Sequence, residues 1–204
     1  MTAKRLLHFV PLLTLACALA APVHAQSEPP AEDPDTLILS DSLHYDDVKR
    51  QSTFTGNVIM TRGDLTLRSD TLTMREDADG FQFGTATVGK GGQVHIRQVR
   101  PNTSEVIEAV GQRAEYDGKA ETIEMIGQAV VTRVVCGKPF DSVSGERIRY
   151  HQKTDVYEAR GGSDSAAAGG RVRSIAQPRA KSDAAAAACA NPAAAHKPAA
   201  GAKP

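Results

Sequence analysis

The chain has no tryptophan, and aromatic residues make up 4% of its 204 positions. That scarcity removes the interfacial girdles of a transmembrane β-barrel. Signals of catalysis are missing too. After residue 25 the histidines are His44, His95, His151 and His196, none at ligand spacing from another His or from a Cys. There is no C-x-x-C, no serine elbow, no phosphate-cradling glycine loop and no recognisable carboxylate pair. Asp77-Ala78-Asp79-Gly80 opens like a calcium loop but lacks the third ligand and the distal glutamate, so it is expected to be a plain turn. These absences predict a binding and carrying protein, not an enzyme, with no cofactor and no metal.

Charge of one sign is also lacking, since 24 basic residues balance 24 acidic ones. The balance is uneven along the chain. Residues 26–170 hold 16 Lys/Arg against 23 Asp/Glu, whereas residues 171–204 hold six against one. An acidic body with a short basic tail offers no stripe for nucleic acid.

The first 25 residues read as a leader. Lys4 and Arg5 precede an apolar stretch from Leu6 to Ala21, and Val23-His24-Ala25 supplies small residues at −3 and −1. The stretch is short for a spanning helix and is broken by His8 and Pro11. Cleavage after Ala25, export to the periplasm and a mature start at Gln26 are the expectation. Residues 26–35 (QSEPPAEDPD) form an extended lead-in, residues 36–178 the folded domain, and residues 179–204 a tail. From Ala184 onward 12 of the 21 residues are alanine, with too few large apolar side chains to dock a helix. Disorder is expected there. Export leaves Cys136 and Cys189, which an oxidising compartment permits to pair without requiring it.

Between residues 36 and 160 the only prolines are Pro101 and Pro139. Apolar residues alternate there: Leu65-x-Leu67, Leu72-x-Met74, Val94-x-Ile96, Ile123-x-Met125, Ile148-x-Tyr150. Period 2 with Val, Ile and Thr between turn signals such as Gly63-Asp64 and Asp117-Gly118 predicts an all-β domain of antiparallel hairpins. A shift of 71 residues superposes Tyr45-Asp46 on Tyr116-Asp117, Gly56 on Gly127 and Thr61-Arg62 on Thr132-Arg133. After a five-residue insertion holding Cys136, Ser69-Asp70-Thr71-Leu72 meets Gly145-Glu146-Arg147-Ile148. Two stacked copies of one unit follow, with an open end on each side.

Phe54-Thr55-Gly56-Asn57-Val58, continued by Leu65-x-Leu67-x-Ser69-Asp70, closely resembles the signature of the OstA/LptA family. The second half supplies Ala114-Glu115-Tyr116-Asp117, Ile126-Gly127-Gln128-Ala129 and Val143-Ser144-Gly145-Glu146-Arg147-Ile148. The resemblance implies an open twisted β-jellyroll that binds lipopolysaccharide, acyl chains inside and sugars outside, and bridges the two membranes. It further implies head-to-tail self-association, and as partners the inner-membrane-anchored and outer-membrane proteins of the transport machinery. Alternation within the matched strands then selects the lipid-facing set. It comprises Leu37 and Leu39 at the N-terminal strand, Phe54, Val58 and Met60, Leu65 and Leu67, Leu72 and Met74, with Ile96, Tyr116, Ile123, Met125 and Ile148 further on. The alternatives are the anchored member of the same pathway and a structural β-repeat protein with a dry core.

Overall fold

The computed structural model describes residues 34–101 and 103–190. The leader, the lead-in before Pro34 and the tail past Ala190 lie outside the described residues. One 12-stranded antiparallel sheet dominates. The first six strands are β1 (Thr36–Leu39), β2 (Ser42–Asp46), β3 (Gln51–Arg62), β4 (Leu65–Glu76), β5 (Gln82–Thr87) and β6 (Val94–Val99). The second six are β7 (Glu105–Gly111), β8 (Arg113–Asp117), β9 (Thr122–Val135), β10 (Lys138–His151), β11 (Val156–Arg160) and β12 (Arg173–Ile175).

Four strands are long, and each belongs to two arms. The C-terminal half of β3 pairs with β1 and its N-terminal half with β2. β4 pairs with β6 through its first half and with β5 through its second. β9 and β10 divide the same way, between β8 and β7 and between β12 and β11. The first arm therefore runs β1-β3-β4-β6-β7-β9-β10-β12 and the second β2-β3-β4-β5-β8-β9-β10-β11. The 71-residue repeat is the six-strand unit itself, and β5–β8 and β6–β7 join its two copies.

The bends between the arms are where the repeated glycines sit. Gly56 and Asn57 have φ of 83° and 48°, and Gly127 and Gln128 have φ of 73° and 48°. Two successive left-handed residues turn the strand and shift its register between Thr55 and Val58. Each bend is fastened by the residue that links its two partner strands. The Asp41 amide donates to the Gly56 carbonyl at 3.0 Å, and the Gln112 amide to the Gly127 carbonyl at 2.9 Å. At the bends of β4 and β10, Asp70 accepts the Gly89 amide and Glu146 accepts the Asp164 amide. Here a sequence match becomes a matching hydrogen bond.

The tail departs from expectation. Residues Arg179–Ala190 form a helix, α1, not a disordered segment. Its alanines favour helix intrinsically, but Arg179 and Lys181 sit in the first turn, where they oppose the helix dipole. A 12-residue helix is marginal alone. Its anchor is the cysteine pair that the sequence left open: Cys189 is joined to Cys136 in the β9–β10 turn, with 6.0 Å between the Cα atoms. The bridge spans 53 residues, and removing it by Cys136→Ser or Cys189→Ser should lower stability by about 2–4 kcal/mol. Urea titration of the single variants checks this. Equal midpoints for wild type and both variants would contradict it.

Candidate functional site

Burial falls with distance from the bends, and this gradient defines the site. Val58, Leu67, Leu72, Ala86, Val94, Ala114, Met125, Ala129 and Ile148 lie near bends and are buried as one cluster. Farther out on the same inner faces, Ile38, Phe54, Met60, Leu65, Met74, Ile123, Val131 and Val143 are only partly buried. The two arms thus meet in a packed apex and diverge into a trough with half-exposed apolar walls.

The proposed lipid-facing set splits three ways. Val58, Leu67, Leu72, Ile96, Met125 and Ile148 are buried in the apex. Phe54, Met60, Leu65, Met74 and Ile123 line the diverging walls, and Tyr116 shares the inner face of β8 with buried Ala114. Leu37 and Leu39 point the other way, at 60% and 56% exposure. Their neighbour Ile38 faces inward, opposite Met60. The assignment at β1 is corrected by one residue, and pairing explains it. Leu37-Ile38-Leu39 is apolar throughout, so alternation is silent, and only the register against β3 selects a face.

Two inner-face residues escaped the sequence reading although Leu43-x-Tyr45 carried the signal. Leu43 lies opposite Phe54 and Tyr45 opposite Ser52, both 58% exposed at the N-terminal end. At the other end Tyr150 and Tyr157 pair across β10 and β11 with ring centroids 4.4 Å apart. Burial, then a hydrogen bond donated to Asp155 at 2.9 Å, pushes the Tyr150 phenol up to about 12. A raised phenol stabilises the fold below its unfolded value of 10 and loses that contribution as pH rises toward 12. Absorbance titration should show its latest tyrosine step lost in Tyr150→Phe, with stability falling over the same interval. An ordinary midpoint for every tyrosine would contradict it.

The trough is not apolar everywhere. Near the tip of the first arm, Arg133 lies between Glu105, at 2.6 Å, and Asp141. Alternation from Ala129 and Val131 puts Arg133 on the inner face. Asp141 also accepts the Gln177 amide at 2.7 Å, and that bond, ahead of Arg133, holds its carboxyl below the usual carboxylate range. Outside, the second arm carries a cleft of about 550 Å³ lined by Thr73, Arg75, Phe83, Thr85, Glu115, Glu124, Arg149 and His151. Glu124 is largely buried there between Arg147 and Arg149. Apart from the Arg133, Glu105 and Asp141 group near the tip, the inner walls are apolar, and the outer cleft of the second arm carries the paired charges of Glu124, Arg147 and Arg149.

Among the described residues no cluster of His, Cys, Asp and Glu is placed to hold a metal, and no helix is long and apolar enough to cross a membrane.

Residues 37–156 match the family model described as LptA/(LptD N-terminal domain) LPS transport protein. The lipopolysaccharide export system protein LptH of Pseudomonas aeruginosa is 25% identical over 179 residues, covering 87% of this chain and 98% of the relative. The crystal structure of LptH, described as the LptA-homologous periplasmic component of the lipopolysaccharide transport device, superposes with a TM-score of 0.59. That match, at 23% identity, covers 71% of this chain and 96% of the other. With its two-armed jellyroll and a match over most of the folded domain, this chain belongs to the LptA/(LptD N-terminal domain) family of LPS transport proteins.

Proposed function

We propose that this protein is exported to the periplasm, its leader removed after Ala25, and there carries lipopolysaccharide between the membranes by binding alone. The acyl chains run in the trough and the sugars stay outside. The observation that carries this reading is the pair of half-exposed apolar walls, with Leu43 and Tyr45 left open at one end. Each methylene moved out of water gains about 0.8 kcal/mol, so one chain of roughly a dozen carbons offsets considerable ordering cost.

The carrier works as a link in a bridge. β1 and β2 form one open edge, β11 and β12 the other. Inside the molecule the end of one repeat already meets the start of the next through β5–β8 and β6–β7. Docking β11 and β12 onto β2 and β1 of a second copy repeats that joint, and such head-to-tail contact propagates without closing. The same edges receive the inner-membrane-anchored and outer-membrane members of the machinery. Native mass spectrometry of protein purified from its own envelope tests the reading. A retained mass matching lipopolysaccharide, with longer assemblies at higher concentration, is expected. Lipid-free protein that stays monomeric throughout would overturn it.

A further inference from the structure

The helix α1 and its disulfide have no part in carrying lipid as described, yet they sit in the trough. Three observations place them there. Val135 has the inner-face phase of Ala129 and Val131, lies at the open tip of the first arm, and is nevertheless 0% exposed. It is buried outside the apex cluster, beside the cysteine that α1 is bonded to. The chain enters the helix along the same side, because the Gln177 amide reaches the inward carboxylate of Asp141. The helix also contacts β9, with the Cys136 disulfide sulfur 3.5 Å from the Ala185 carbonyl and Ser182 buried.

From this placement we propose that α1 is a redox-released strap: bonded, it covers the inner wall of the first arm in the second repeat, and reduced, it leaves that wall open to acyl chains. The inference rests on the carrier reading and adds its regulation. The physical basis is that, apart from the disulfide, α1 is held by its contact with β9 at buried Ser182 and by no large apolar side chain of its own. Between Arg179 and Ala190 there is no Leu, Ile, Val, Met or aromatic residue, and the first-turn charges disfavour the helix. Cys189 is exposed and Cys136 half-buried, so the bridge is open to attack from solvent. The reductant is a dithiol, either a thiol-disulfide reductase or dithiothreitol. Its thiolate attacks the Cys189 sulfur and the Cys136 sulfur leaves. The second donor thiol then displaces Cys189. The bridge gains two electrons and two protons to give two thiols, and the donor becomes a disulfide.

The test uses the full chain, oxidised and after dithiothreitol, with Cys189→Ser as the permanently open form. Amide hydrogen exchange over residues 183–189 should be about tenfold faster or more in the reduced and Cys189→Ser forms, while β8 and the first half of β9 keep their protection. Equal protection of residues 183–189 in all three forms would overturn the strap. In parallel, a photo-crosslinking residue at Val131 is exposed to lipopolysaccharide. Its adduct should rise several-fold on reduction, and an unchanged yield would overturn the occlusion. The same probe at Phe54, in the first repeat, should crosslink in both states. Its failure in both would overturn the carrier reading and the strap's cargo together, while exchange still decides whether the latch exists.

Discussion

Replacing Met125 by alanine will lower the unfolding free energy by about 3 kcal/mol. Met125 is 2% exposed and lies where the two arms meet. It pairs with Ala114 on one side and Ile148 on the other, so its side chain is shared by three strands of the second arm. Truncation leaves a cavity that these neighbours cannot fill without moving the bend at Gly127. For a domain of this length the loss corresponds to a drop of roughly 6–12 °C in Tm. Calorimetry checks it, and a drop under about 2 °C would mean that the apex is not the continuous core described.

The second large effect separates neighbours on one strand. Ile38→Asp puts a carboxylate on the trough wall against Met60, where under the proposed carrier function it would face acyl chain instead of water. Leu39→Asp puts the same charge on the outer surface, where Leu39 is already 56% exposed. We expect Ile38→Asp to retain lipopolysaccharide about tenfold less well or worse, and Leu39→Asp to retain it as wild type does. Both should unfold near the wild-type midpoint, because β1 is an edge strand of four residues. Loss of lipid in Leu39→Asp alone would restore the opposite face of β1 as the binding one.

That pair also shows where sequence reasoning stops. In β4, β9 and the C-terminal half of β10 the alternation is interrupted by charged and hydroxyl residues, so the inner face is visible without a structure. In β1 it is not, since three successive apolar residues suit either face and a partner 22 residues away decides. The repeat was legible because Gly56 and Gly127 occupy left-handed bends that other residues adopt at a cost. Arg133 was not, since nothing local distinguishes a trough ion pair from a solvated arginine. Its partners Glu105 and Asp141 arrive from β7 and β10. Likewise, the tail read as disordered because it lacks large apolar residues, while the cysteine 53 residues away that holds its first part as a helix was visible only as a permitted pairing.

The account stands on acyl chains lying between the arms and nowhere else. Met74 and Thr73 are adjacent on β4, Met74 packed on the inner wall and Thr73 lining the outer cleft. A photo-crosslinking residue placed at each in turn, with lipopolysaccharide supplied to the purified protein, measures which face the lipid occupies. The account predicts a strong adduct at position 74, mapped by mass to an acyl chain, and little or none at position 73. Equal adducts at both, or an adduct confined to position 73, would contradict it.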